Sequence, residues 1–177
     1  MVNKSDLMCI NIIISYSEVY KIAELNWGDI LYAIENNFFE AGVVITHAEK
    51  ILEQGSLDDT VLKLAVLNKN DYESSEVKNL ILDLVKREKK FAQNYYYHKW
   101  VYIITSLIYE NRSSYAEPLK VIEEFYDNFG YPSEISEIIR YMPSNESVPG
   151  DKEYNDALLY RNWIKYLKDN ERKYSSI

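Results

Sequence analysis

Residues 74–90 read SSEVKNLILDLVKREKK and contain the clearest helical pattern of the chain. The apolar positions recur at i, i+3, i+4, i+7 and i+8, as on one face of an α-helix; they are Val77, Leu80, Ile81, Leu84 and Val85. Ser74 or Ser75 can serve as the N-cap, and the cations at the other end suit the helix dipole. This stretch predicts an amphipathic helix with one buried face.

Similar helical spacing appears on both sides of this stretch. Towards the amino terminus, we expect a helix capped by Asn26 and ending at a turn near 36–37, one over about 39–54 closed by Gly55, and one opened by a capping box of Ser56 and Asp59. Towards the carboxy terminus, we expect helices from about Asn94, from Pro118 to Gly130, from Pro132, and from about 152 to 170.

About eight helices with short connections predict an all-α fold, because short connections place consecutive helices antiparallel. The chain has only 5 glycines and 4 prolines, too few for the many turns of an all-β fold. We expect a single helical domain over residues 1–177, folded as a bundle or as a curved array of helix pairs. No fixed-period repeat decides between these two forms.

Composition favours a soluble cytoplasmic protein. The single cysteine, Cys9, cannot form an internal disulfide, which fits a reducing compartment. The apolar run Leu7–Ile14 is shorter than the roughly 20 residues that span a bilayer, so we interpret it as a buried element. The net charge of −8 favours basic partners and disfavours direct binding to nucleic acid.

The sequence contains few signs of catalysis. The two histidines, His47 and His98, stand apart from any zinc-binding spacing, and no glycine-rich phosphate loop is present. We therefore predict no metal, no cofactor and no enzymatic activity. The basic run 86–90 is explained by a helix C-terminus, and the tyrosines at 95–97 lack the basic groove of a base-stacking platform.

Carboxylates are the chemical groups that stand out. Local charge density selects a candidate partner-binding face, which consists of Asp71, Glu73, Glu76, Glu123, Glu124 and Asp127. Carboxylates at such positions also occur simply as a solvated helix face, and paired carboxylates can do acid–base work when burial separates their pKa values. A solvated helix face and an acid–base pair therefore remain as alternative interpretations of these carboxylates.

Two motifs resemble a bacterial family. One is His98-Lys99-Trp100-Val101-Tyr102; the other runs from Pro118-Leu119 through Tyr126-Asp127-Asn128-Phe129-Gly130-Tyr131-Pro132 to Arg140-Tyr141-Met142-Pro143. They are similar to a family of unknown function associated with immunity proteins of polymorphic-toxin and contact-dependent growth-inhibition systems. The resemblance implies a protein partner and carries over no catalytic residue.

The leading hypothesis is therefore an immunity protein that binds and neutralises a cognate toxin domain, expected to be a basic nuclease, through an acidic surface containing tyrosine. Charge complementarity of this kind accelerates association. The first alternative is a helical-array adaptor that binds a protein segment in a groove and has no toxin partner. The second is a helical enzyme that uses a carboxylate pair.

Overall fold

The computed structural model describes residues 14–67, 74–92 and 94–174. These residues form an all-α structure without strands, as the sequence predicts. The α-helices are α1 (Tyr16–Ile22), α2 (Trp27–Glu35), α3 (Val43–Glu53), α4 (Asp59–Ala65), α5 (Ser75–Arg87), α6 (Tyr95–Glu110), α7 (Pro118–Asn128) and α8 (Lys152–Tyr174). Within the described ranges, the 3-10 helices Arg112–Ser114 and Ser133–Ile138 follow α6 and α7.

The contacts divide the chain into two units, here called the amino-terminal unit (14–100) and the carboxy-terminal unit (the described residues from 101 onward). In the amino-terminal unit α2 packs against α3 and α5, and α4 packs against the same two helices. In the carboxy-terminal unit the 3-10 helix Ser133–Ile138 contacts both α7 and α8. Helix α6 contributes residues to both units.

Several helix ends lie where the local sequence places them. Asn26 caps α2, and Ser74 caps α5 by accepting a hydrogen bond from the Val77 N–H. Pro118 occupies the first turn of α7, where its missing N–H is not needed. Gly130, which follows α7, has φ of +83°, a conformation that costs glycine little.

Helix α3 begins at Val43, four residues later than predicted. The rings of Phe38 and Phe39 both contact Trp100, at centroid distances of 5.0 and 5.4 Å. Adjacent residues of an α-helix point about 100° apart, so a turn suits this double contact better than a helix does. Asn37, with φ of +59°, starts the turn.

Three other details differ from the predictions. Helix α1 was not anticipated, although Ser15 caps it through the Glu18 N–H. Helix α4 is capped by Asp58 and not by the predicted box of Ser56 and Asp59, because the Asp58 carboxylate accepts hydrogen bonds from two backbone N–H groups. The short helix from Pro132 is a 3-10 helix.

The last helix is longer than the predicted range of 152–170. It extends to Tyr174, whose buried ring packs 5.3 Å from that of Tyr102. Trp163, on the same helix, is fully buried and donates a hydrogen bond from its indole N–H to the carbonyl of Thr105 at 3.3 Å. These contacts hold α8 on the part of α6 that belongs to this unit.

Among the described residues, no helix combines the length and the apolar character needed to cross a bilayer. The predicted buried element at 7–14 lies outside the described residues except for Ile14, and Cys9 lies outside them as well.

Candidate functional site

A capping box begins α2 and introduces a buried carboxylate. The side chain of Asn26 accepts a hydrogen bond from the Asp29 N–H at 2.9 Å, and the carboxylate of Asp29 accepts one from the Asn26 N–H at 2.9 Å. Asp29 is completely buried. A buried carboxylate loses its hydration and therefore needs a cation or further donors nearby.

Lys99 of α6 supplies that cation. Its Nζ lies 2.5 Å from Oδ2 of Asp29 and donates a hydrogen bond to the carbonyl of Glu24 at 2.6 Å. Burial raises the pKa of Asp29, and the charge of Lys99 partly offsets that increase. Since desolvation cancels much of the attraction within such a pair, we interpret this one as fixing α6 in register against α2.

Glu88, directly after α5, binds the start of the same helix. Its Oε1 accepts a hydrogen bond from the Trp27 N–H at 2.6 Å, and its Oε2 accepts one from the Gly28 N–H at 3.2 Å. Unpaired N–H groups and the helix dipole favour an anion at this end of α2. Burial raises the pKa of Glu88, and the two N–H donors partly offset the increase. The anion site at this helix start is thus filled by a group of the chain itself.

Tyr96 covers the same turn of α2. A Cβ atom added to Gly28 would lie 2.0 Å from Oη of Tyr96, so the close approach of the tyrosine requires glycine here. Burial, together with the nearby carboxylates of Glu88 and Asp29, raises the pKa of Tyr96 to about 12. The tyrosine therefore stays protonated near neutral pH.

His47 of α3 is a further buried titratable group in this unit. Its Nδ1 lies 2.9 Å from the hydroxyl of Tyr16, and its ring meets that of Trp27 edge-on at a centroid distance of 4.6 Å. Burial lowers the pKa of His47 to about 4, with a further contribution from the charge of Lys99. The imidazole is consequently neutral at pH 7 and serves as a packed polar residue.

These buried groups position helices and are closed to solutes. Asp29, His47 and Lys99 each expose 3% or less of their surface. In the part of the chain that the structure describes, no three histidine, cysteine, aspartate or glutamate side chains converge as a metal-binding group. These three side chains therefore help to shape the amino-terminal unit and present almost no surface to a partner.

An open groove of about 1560 Å³ crosses the amino-terminal unit. Its apolar walls come from α2, from the turn before α3 and from α3 itself; they include the partly exposed side chains of Leu31, Ile34, Val43 and Ile45. Its floor is aromatic, since Tyr16, Phe38 and Phe39 line it. Three exposed carboxylates, Glu35, Glu40 and Glu49, stand among the lining residues.

A second, smaller groove of about 720 Å³ lies in the carboxy-terminal unit. It is formed by the 3-10 helix Ser133–Ile138, the segment 139–150 and α8. Its charged lining is balanced, with three acids and three bases: Glu137, Glu146, Asp156, Arg140, Lys152 and Lys165. It therefore lacks the acidic bias of the first groove.

Three of the predicted interface residues lie together on α7, but two of them bind residues of another segment of the unit. Glu123 forms an ion pair with Arg140, and Asp127 accepts a hydrogen bond from the hydroxyl of Tyr141. Glu124 is exposed and forms an ion pair with Lys120, one turn earlier, at 4.0 Å. Of the three, Glu124 thus has its contact within α7 itself.

The other predicted residues belong to the amino-terminal unit or lie outside the described residues. Glu76 is exposed in the first turn of α5. Asp71 and Glu73 fall in the part of the chain that the structure does not describe. The proposed role of these six residues as one face remains a prediction.

The buried network was missed in the sequence because its partners are distant, although one signal existed. Residues 100–108 are almost entirely apolar, and every one of them is buried. A helix that is apolar on all sides is a buried helix, so Lys99 at its edge required a buried partner. Nothing local indicates that this partner is Asp29, which lies 70 positions earlier.

Residues 16–171 match a family described as an uncharacterized protein conserved in bacteria (DUF2247). Since this match covers most of the chain, the protein belongs to that family. No match was found among curated proteins or among solved structures.

Proposed function

We propose that this protein is a cytoplasmic immunity protein that binds and neutralises a basic toxin domain, expected to be a nuclease. The observation that carries the proposal is the charge of the segment that contains the first three helices and their connections. Residues 14–54 contain seven carboxylates and two lysines. Five of these carboxylates are exposed: Glu24, Glu35, Glu40, Glu49 and Glu53.

This concentration of charge suits the capture of a basic protein. Nucleases that grip nucleic acid present cationic clefts, and a negative surface steers them into contact at rates up to about 10⁸–10⁹ M⁻¹s⁻¹ at low salt. Fast capture is useful when the target is lethal. Tyr16 and Tyr20 belong to the same stretch and add apolar contact area with polar tips.

The direct test is co-expression with the polypeptide encoded immediately upstream of this gene. We expect that polypeptide to stop growth alone, the pair to grow, and the two chains to purify as a stable complex. We also expect the association rate to fall steeply as salt rises from about 50 to 500 mM, because screening shortens the reach of surface charges. Absence of both rescue and complex would overturn the proposal.

The groove of the amino-terminal unit also favours a second candidate, an adaptor that binds a protein segment and has no toxin partner. Such an adaptor and an immunity protein both form complexes, so binding alone does not separate them. Growth does: an adaptor's partner is harmless when expressed alone, whereas the partner of an immunity protein is lethal.

A further inference from the structure

We propose that the groove of the amino-terminal unit is the docking site for one segment of the toxin, in which large apolar side chains are flanked by lysine or arginine. The inference rests on the proposed function and goes beyond it by naming the surface and the chemistry of its occupant. Three observations support it: a braced aromatic floor, partly exposed apolar walls, and an excess of carboxylates along the lining.

The floor of the groove is held in place from below. Phe38 and Phe39 pack on the fully buried ring of Trp100, and the ring of Tyr16 lies 6.1 Å from that of Phe39. The hydroxyl of Tyr16 is in turn hydrogen-bonded to buried His47. A floor braced in this way stays in position as a ligand enters, which lowers the entropic cost of binding.

The walls present apolar surface to solvent. Leu31 and Ile34 of α2, and Val43 and Ile45 of α3, are each only partly covered. Covering such side chains releases free energy in proportion to the apolar area removed from water. A groove with apolar walls accommodates the apolar face of a partner segment, which is a recurrent mode of peptide recognition.

The lining charges select the kind of segment. Among the described lining residues, Glu35, Glu40 and Glu49 are opposed by a single lysine, Lys78, which lies 3.6 Å from Glu35. Glu40 and Glu49 have no ion pair among the described residues. A segment with apolar anchors and flanking cations would cover the apolar walls of the groove, and its cations would form ion pairs with Glu40 and Glu49.

Two other occupants fit the lining less well. A second copy of this chain would bring a net charge of −8 to a groove that is already acidic. The chain's own apolar run 7–13 contains no cation, and Lys4, which precedes it, is offset by Asp6, so that this segment brings less positive charge to Glu40 and Glu49. The experiment below distinguishes both occupants. A second copy would be detected as a concentration-dependent increase in mass. If the chain's own run 7–13 occupies the groove, the affinity for the toxin would not change when groove residues are substituted.

The experiment compares two variants of equal charge in the full-length protein. Glu40→Lys with Glu49→Lys changes the groove lining, whereas Asp169→Lys with Glu171→Lys makes the same change of charge on exposed positions of α8 that do not line it. A third variant, Ile45→Ser, removes an apolar wall residue without changing charge. The upstream-encoded toxin is the probe, binding is measured by biolayer interferometry, and folding is checked by circular dichroism.

We expect the groove double variant to bind the toxin at least 30-fold more weakly, and Ile45→Ser about 10-fold more weakly. The α8 double variant should stay within about threefold of wild type. Overlapping peptides covering the toxin, screened against wild type and the groove variant, should identify one wild-type-specific segment that is basic and carries apolar anchors.

Each outcome has a distinct meaning. If wild type binds and rescues while the groove variants, folded, bind equally well, the docking site is wrong and the proposed function stands. Equal losses in both double variants would also reject the groove, since only total charge would matter. A concentration-dependent dimer that dissolves in the Ile45→Ser variant would assign the groove to a second copy. If wild type neither binds nor rescues, the function and the inference fail together.

Discussion

Glu123 accepts three hydrogen bonds from Arg140: one from the backbone N–H at 3.1 Å and two from the guanidinium at 2.7 Å each. The segment after the 3-10 helix Ser133–Ile138 is thereby attached to α7. Next to this pair, Tyr141 donates a hydrogen bond to Asp127, and the hydroxyl of Tyr126 contacts the sulfur of Met142 at 3.8 Å. These contacts therefore join the two ends of the second sequence motif, the α7 segment and Arg140-Tyr141-Met142.

This relationship predicts that Glu123 contributes to stability more than its neighbour does. Replacing Glu123 with alanine removes a bidentate ion pair whose arginine is about one-third exposed, so we expect a loss of about 1–2 kcal/mol in the free energy of unfolding. Glu124→Ala, at an exposed position on the same helix, should change it by less than about 0.5 kcal/mol. Urea unfolding measures both, and equal effects would contradict the assigned role of the pair.

The buried pair of Lys99 and Asp29 predicts strong dependence of one partner on the other. Lys99→Met leaves the carboxylate buried without its cation, and we expect a loss of about 3–5 kcal/mol in unfolding free energy. Adding Asp29→Asn should restore a large part of that loss, because an amide is cheaper to bury than a carboxylate. If the loss of unfolding free energy in the double variant equals the sum of the losses in the two single variants, the residues act independently.

The lowered pKa of His47 predicts a loss of stability in acid. Its pKa is about 4 in the folded protein and 6.5 as the reference value, so the unfolded chain binds the proton more readily. The stability that the neutral imidazole of His47 contributes is complete above pH 6.5. It is lost progressively as the pH falls towards 4, by up to about 3 kcal/mol in the free energy of unfolding.

His47→Gln, which cannot titrate in this range, is the matched variant for that prediction. The difference in unfolding free energy between wild type and variant, measured by urea titration at several pH values, should shrink or reverse in favour of the variant between pH 6.5 and 4. Parallel pH profiles for the two proteins would contradict the assignment.

The contact of Gly28 with Tyr96 predicts that removing the tyrosine ring will rescue a larger residue at position 28. Gly28→Ala forces its new Cβ against the tyrosine ring, and we expect a cost of about 1–3 kcal/mol as the ring is displaced. Tyr96→Ala in the same chain should make Gly28→Ala nearly neutral, because the colliding group is then absent. Thermal unfolding of the four proteins in this cycle measures the coupling, and additive effects would contradict the steric explanation.

Local chemistry was sufficient to predict the all-α class and most helix ends. Caps such as Asn26 and Ser74, and punctuating residues such as Pro118 and Gly130, act within a few positions of themselves. Helical periodicity of apolar residues is likewise a local property, so the sequence alone carried it. The net charge, which underlies the proposed basic partner, is also a property of composition alone.

Contacts between distant residues decided the rest. Phe38 and Phe39, in the turn before α3, pack on Trp100, Asp58 binds Arg87 at 2.6 Å, and the buried Lys99 pairs with Asp29. Charge density along the chain selected Glu123 and Asp127 as partner-binding residues, yet both are engaged within their own unit. Whether a carboxylate is free or paired depends on which cation folding brings beside it, and only the tertiary structure contains that information.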